Sequence, residues 1–415
     1  MTGHKNIFDV IVIGGGASGM MAAGRAAERG KRVLLLEKNR TLGKKLSISG
    51  GGRCNIMNAE SNEDILLSHY GKAKPFLHSP FSKFGMKNAV SFFESRGLKL
   101  KVEGQKRLFP ETDNANDVVW TLKGYMAEGK VEVGLGIAVH KVFGSSGHIE
   151  KVATDKGDFF AKSYILATGG ASHPETGSTS DGFTWLEDLG HKVGKPTPTI
   201  VPLRTKETWV KKISGTSLSG AKITFFAGGV KKMSRTGNVL FTHFGISGPV
   251  ILNSAGKVAD FLHEGVVTAH IDAFPATDIG TFDRTVRQVF DSNKNKLFKN
   301  IAKQIAPAGI RDVLLLLQND VSPETKVHSI TKEQRRKIVN LLKNIPLTIT
   351  GLMGFDRAVV ADGGLILTEV DTRTMRSNRY DNLFVTGDLL HINRPSGGYS
   401  LQLCWTTGYV AGSYA

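Results

Sequence analysis

The run Phe8-Asp9-Val10-Ile11-Val12-Ile13 passes without a break into Gly14-Gly15-Gly16-Ala17-Ser18-Gly19, and this junction restricts the fold more than any other part of the chain. A continuous β-branched run bounded by glycine suits a strand buried on both faces of a parallel sheet. A helix must follow at once. Residues 17 to 29 are rich in Ala and Met and end at Gly30, a C-cap residue, after which Arg32-Val33-Leu34-Leu35-Leu36-Glu37 reads as the next strand. The result is a complete βαβ unit of about 30 residues.

The glycines of that unit are spaced G-x-G-x-x-G. The first, Gly14, permits a tight turn; the second, Gly16, lets backbone approach a pyrophosphate; the third, Gly19, lets helix and strand pack closely. Glu37, at the end of the second strand, is placed to accept hydrogen bonds from ribose hydroxyls. FAD and NAD enzymes share this fingerprint, so other segments must separate them. Tyr164-Ile165-Leu166-Ala167-Thr168-Gly169-Gly170 ends a strand in a Thr-Gly turn, and Thr386-Gly387-Asp388 ends another, an arrangement that wraps an extended FAD. Ser396-Gly397-Gly398-Tyr399-Ser400-Leu401-Gln402 opens the last helix, whose N-terminus would stabilise negative charge on a reduced flavin. No second G-x-G-x-x-G stands between strand and helix, since Gly134-Leu135-Gly136 and Gly169-Gly170-Ala171 lack the spacing. NAD(P)H is therefore expected only as a transient electron donor.

Composition shifts divide the 415 residues. Residues 1–195 read as the first part of the FAD-binding domain, 196–280 as a β-rich, barrel-like domain and 281–345 as a Lys/Arg-rich helical subdomain. Residues 346–365 return through the β-rich domain, and 366–415 complete the FAD-binding domain. The Gly/Ser-rich stretch Lys44 to Asn58 is expected to be a loop laid over a ligand. Helices are expected near 86 to 96 and 116 to 128, and a small sheet with a return strand at 131 to 142, 148 to 154 and 158 to 167.

The net charge of +17 raises the local concentration of anionic ligands, but Lys and Arg are spread along the chain rather than gathered in a tail. The two cysteines, Cys54 and Cys404, have neither metal-ligand nor C-x-x-C spacing, so no metal site is expected and a reducing, cytoplasmic setting fits. No apolar stretch of about 18 residues is present, so no membrane partner is expected.

Six ordered segments resemble one family, the bacterial YhiN/BaiN-like flavoproteins, also called the aminoacetone oxidase family. They are Phe8 to Gly19, Gly43 to Asn55, Ala167 to Ser172, Phe241 to Pro249, Gly354 to Ala358 and Gly397 to Gln402. The resemblance implies an α/β fold in which a Rossmann-type (three-layer ββα) FAD-binding domain in two chain segments is interrupted by a β-barrel-like domain with a helical subdomain. It also implies that Ser49 to Asn55 lies along the cofactor, with Arg53 offsetting phosphate charge. The expected FAD contacts are Gly14, Gly16, Ala17, Ser18, Gly19, Glu37, Lys38, Lys45, Ser49, Gly50, Arg53, Asn55, Val139, Thr168, Gly169, Gly387, Asp388, Gly398, Tyr399, Ser400 and Leu401. The chain departs from the usual family pattern at His173, at Asp388 and at Asn393-Arg394-Pro395.

The expected activity is hydride transfer between flavin N5 and a small organic substrate, an amine or a steroid-like enone, since family members are linked to both. His243, His391 and Tyr399 are the candidate acids or bases, with His173 behind them. Two other readings stand beside it: a tRNA-modifying or nucleic-acid-binding flavoprotein, and an FAD-stabilised scaffold or sensor. The basic run Lys332-Glu333-Gln334-Arg335-Arg336-Lys337 lacks interleaved aromatics, so a small molecule rather than nucleic acid is the expected partner.

Overall fold

The structure, a computed structural model, describes residues 7–307 and 309–415. Its chain forms two compact units, one from the residues up to Thr197 together with Val359–Ala415, the other from Pro198–Ala358.

The first unit is built on a five-stranded sheet in the order Leu383–Val385, Ala161–Leu166, Phe8–Ile13, Val33–Glu37, Glu132–Leu135. All four pairings are parallel. Val10 to Ile13 are buried on both faces, as the β-branched run requires. The small sheet expected from residue 131 is divided differently. Glu132–Leu135 joins the main sheet beside Val33–Glu37, and Gly136, at φ +67°, breaks the run before the antiparallel meander Val139–Ser145, His148–Thr154, Gly157–Phe159. The expected loop at 44–58 is also more ordered than its composition suggested: Lys44–Ile48 is a short helix anchored by buried Leu46, and Met57–Asn58 pairs with Arg107–Pro110.

The last helix, Tyr399–Tyr414, packs on the first, Ala17–Glu28, at unusually close range. A Cβ on Gly408 would overlap the Ser18 carbonyl, and one on Gly412 would overlap that of Ala22. Two glycines four residues apart on one helix face thus let backbone meet backbone.

The second unit holds a closed six-stranded barrel in the order Leu203–Thr205, Gly245–Ser247, Val230–Thr242, Ser217–Ala227, Val267–Asp272, Ile345–Leu352. Alternation fills its interior with Ile223, Phe225, Val267, Ala269, Ile271, Leu347 and Ile349. The strand-like reading of this region was incomplete, because Ala255–Glu264 forms a helix that buries Ala255 and Val258. Helices Ile279–Asp291, Phe298–Ile305, Ile310–Leu317 and Lys332–Lys343 follow, the last opened by a Thr331/Gln334 capping box. Barrel and helices share one hydrophobic core. No helix among the described residues is long and apolar enough to cross a membrane.

The helix crossing makes a direct prediction. Gly408→Val should lower stability by about 1–3 kcal/mol or more through overpacking, whereas Gly124→Ala, with nothing within 4 Å of the added methyl, should raise it by about 0.4–1 kcal/mol. Urea midpoints of the two variants check both signs.

Candidate cofactor and active site

The three fingerprint glycines occupy three different environments. Gly14 has φ +108°, and a Cβ there would stand 2.5 Å from the Ala167 carbonyl oxygen; a Cβ on Gly19 would overlap the Gly14 carbonyl. Packing therefore demands both. Gly16 is different, for a Cβ on it would meet no atom within 4 Å. It leaves an open cradle at the N-terminus of the first helix, where backbone N–H groups and the helix dipole favour an anion. Gly51 and Gly52, at φ +70° and +87°, likewise face open space in the turn after Lys44–Ile48. An FAD pyrophosphate and its flanking sugars fit such a glycine-lined cradle.

Glu37 is buried, and the chain itself already uses much of its carboxylate. Oε2 accepts the Gly15 N–H at 2.7 Å, and Oε1 accepts from both the Asn39 backbone N–H and its amide, each at 2.7 Å. A carboxylate offers roughly four lone-pair sites. Glu37 thus fixes the glycine turn and keeps one acceptor site for a ribose hydroxyl.

Arg53 is a correction. Its guanidinium, expected to offset phosphate charge, pairs with Glu103 and with Asp113 at 2.6 Å, and lies 4.3 Å from the Phe109 ring centroid. Two carboxylates already neutralise it. Lys45 is the better-placed cation: its ammonium is 3.3 Å from Ser172 Oγ, and burial pulls its pKa down against the opposing pull of Asp388. A Cβ on Gly169 would stand 3.9 Å from it. Lys38 pairs with Asp181 at 2.8 Å, and the Asn55 amide, oriented to suit its neighbours, bridges Met57 O and Gly398 N–H. Val139 is a buried strand residue paired with Thr154.

The C-terminal turns are joined by a residue that the sequence marked only as a departure. Arg394, 3% exposed, pairs with Asp388, donates to Ser400 Oγ at 3.0 Å and to Ile392 O at 2.6 Å. It thereby ties the Thr386-Gly387-Asp388 turn to the first turn of the last helix, where Gly398, Ser400 and Leu401 lie. Gly387 N–H donates to Thr407 Oγ1 at 3.0 Å, and a Cβ on Gly387 would stand 2.9 Å from Ser18 Oγ. Ala17 and Ser18 open the first helix beside it, with Thr168 at the end of the neighbouring strand.

Tyr399 is buried; its carbonyl accepts the Tyr70 hydroxyl at 2.9 Å, and its ring lies 4.7 Å from that of His69. Burial, with the Glu60 charge, raises its phenol pKa. His391 is 3.3 Å from Asp362, and His173 is 2.8 Å from Glu175. His243 belongs to the second unit, exposed in the turn after Val230–Thr242. Ser49 Oγ donates to Leu46 O, and Gly50, at φ +58°, packs 2.7 Å from Asn55 N. Burial pushes the Cys54 and Cys404 thiols up to about 12, so neither is a thiolate at neutral pH. Among the described residues, no group of three or more His, Cys, Asp or Glu could hold a metal ion.

One buried constellation imitates a nucleophilic triad. His191 sits between Glu369, at 2.9 Å from Nδ1, and Ser377 Oγ, at 3.1 Å from Nε2. The serine oxygen also accepts the N–H groups of Arg379 and Tyr380, both at 3.0 Å, and is itself buried. With its lone pairs engaged, it is a structural pin rather than a nucleophile.

Two tests follow. Gly16→Val should abolish FAD retention while Glu37→Gln weakens it by about 1–3 kcal/mol, read as flavin released from the purified variants. The second concerns pH: burial lowers the His191 pKa below 6.5, so in acid the unfolded chain binds the proton more readily. For Glu369, burial acts upward but the Arg379 and His191 hydrogen bonds outweigh it and hold the pKa below 4.5, so its contribution too is lost in acid. Melting temperature should fall as pH drops below about 6.5, and His191→Gln should flatten that fall.

The chain is similar along its whole length to known proteins. The HI0933-like protein Rossmann domain family matches residues 8–414. A 3-dehydro-bile acid delta(4,6)-reductase of Clostridium scindens is 30% identical over 97% of this chain and 98% of its own. A ribosomal RNA dihydrouridine synthase of Haemophilus influenzae is 27% identical over 96% of each. In fold, the 3-ketosteroid delta1-dehydrogenase of Sterolibacterium denitrificans superposes with a TM-score of 0.54 at 13% identity, covering 98% of this chain and 99% of the other. The glycine cradle and the full-length match lead to one conclusion: the chain belongs to the HI0933-like family of FAD-binding Rossmann proteins and is a flavin-dependent oxidoreductase.

Proposed function

We propose that this enzyme reduces a carbon–carbon double bond conjugated to a carbonyl group. The observation that carries the reading is its full-length similarity to two reductive enzymes whose named substrates look unrelated. At the level of bonds they agree. A 3-oxo-4,6-diene and the uracil ring both present a C=C whose β-carbon accepts hydride and whose α-carbon accepts a proton. Bound FAD, reduced by a transient donor of the NAD(P)H class, supplies the hydride.

This chain's residues supply the rest. Gly16 and the first helix hold the pyrophosphate, Lys45 offsets its charge, and Arg394 keeps the Asp388 turn and the last helix in register. Tyr399 is the proton donor in this reading, because a buried phenol with a raised pKa keeps its proton across the working pH range. His243 and His391 are not assigned that role, since His391 is engaged with Asp362.

Charge favours a polyanionic substrate over a free steroid. The second unit holds 23 Lys and Arg against 12 Asp and Glu, the first 31 against 25, so most of the excess sits on the inserted unit. Such a surface attracts RNA phosphates in a salt-dependent way. Nucleic acid, given a minor place on sequence pattern alone, thus becomes the second reading of the substrate.

The test is anaerobic. Dithionite-reduced enzyme is mixed with a 3-oxo-4,6-diene bile acid or with ribosomal RNA transcripts, and flavin reoxidation is followed. Reoxidation with formation of the saturated product by either compound supports the reaction class, and the active compound names the substrate. Oxidation of the flavin by neither, with rapid bleaching of the oxidised enzyme by amines, would overturn it. Tyr399→Phe should slow product formation about 10²–10⁴-fold while leaving bound FAD and its reduction unchanged.

A further inference from the structure

The FAD-binding unit carries a second concave site. A cleft of about 320 Å³ opens among the end of the first helix, the helices Met86–Glu94 and Ala115–Glu128, and the last helix. That volume lies at the lower end of the range for small-molecule pockets. On the first helix it is lined by Arg25 and Glu28, near the end of an element of 12 residues that begins at the glycine turn. A helix that long spans about 18 Å, so the cleft is distinct from the pyrophosphate cradle.

Its walls are stacked cations and rings. The Arg25 guanidinium lies 4.5 Å from the Tyr409 centroid, and Tyr409 stacks on Phe84 at 4.2 Å. Arg96 lies 4.5 Å from the Tyr125 centroid. A guanidinium flat on a ring keeps its N–H edge available to an oxyanion. Glu28, the one acid among the lining residues, is already held by Arg25 at 2.5 Å and by the Tyr125 hydroxyl at 2.9 Å, and stands 4.0 Å from Arg96. It cannot also neutralise Lys87. Arg96 Nε is buried and has no hydrogen-bond partner, a donor that calls for an acceptor.

We propose that this cleft binds a small planar organic anion, its carboxylate or phosphate held by Arg96 and Lys87 and its ring laid against the aromatic wall. Excess positive charge and flat π-surfaces in one pocket select that class over neutral rings and over bare inorganic ions.

The experiment is saturation-transfer NMR on the FAD-loaded, full-length protein, with benzoate, phenyl phosphate, benzyl alcohol and inorganic phosphate as probes. Benzoate or phenyl phosphate should bind at least ten-fold more tightly than benzyl alcohol and inorganic phosphate. Arg96→Gln and Lys87→Gln should each weaken the better probe ten-fold or more, with the flavin spectrum unchanged. Lys87 is exposed, so its substitution leaves the core intact and keeps the test decisive should Arg96→Gln unfold. Silence from both aromatic anions at millimolar concentration, equal binding of benzyl alcohol or inorganic phosphate, or an unchanged affinity in Lys87→Gln would each overturn the proposal.

Discussion

The FAD-binding unit depends on the backbone contact between its first and last helices. Gly408 meets Ser18 and Gly412 meets Ala22, with no side chain between. That approach brings the start of the last helix and the Thr386-Gly387-Asp388 turn against the glycine turn of the first strand. Segments separated by the whole inserted unit thus converge on one cradle. Side-chain packing alone would tolerate a shift of an ångström or more; backbone against backbone does not.

Around this contact the charges are arranged so that few are spent on the ligand side. Glu37 is largely consumed in bracing Gly15 and Asn39. Asp388 is held by Arg394, and Arg53 by Glu103 and Asp113. What remains is the half-buried Lys45 and the open helix N-terminus. A site built in this way recognises an anion through dipoles and one desolvated cation, which suits a cofactor retained through many turnovers.

Much of the fold was legible because it rests on local patterns. The buried run Phe8–Ile13 and the G-x-G-x-x-G spacing carry their own geometry, and both fit the five-stranded sheet. Gly408-x-x-x-Gly412 was visible too, as a small-residue spacing on the last helix, but nothing local says which helix it faces. Arg53 was misread because its neighbours Glu103 and Asp113 lie 50 and 60 residues away. Arg394 escaped for a related reason. In a short loop a single arginine has no pattern, and only the fold shows it buried against Asp388 and Ser400. The helix Ala255–Glu264 was hidden within strand-like surroundings, where its short apolar face gave little periodicity.

The split of the FAD-binding unit also has a consequence for synthesis. Leu383–Val385 is an edge strand of the main sheet, yet it is translated after the entire barrel and its helices. At about 5–20 residues per second, the roughly 200 residues from Pro198 onward occupy the ribosome for about 10–40 s. During that interval the strand Ala161–Leu166 has one unpaired edge and the first helix has an uncovered glycine-matching face. The nascent chain therefore passes through a stage in which the barrel can close while the nucleotide cradle still lacks a wall, a stage at which chaperones, rather than FAD, would have to guard the exposed sheet.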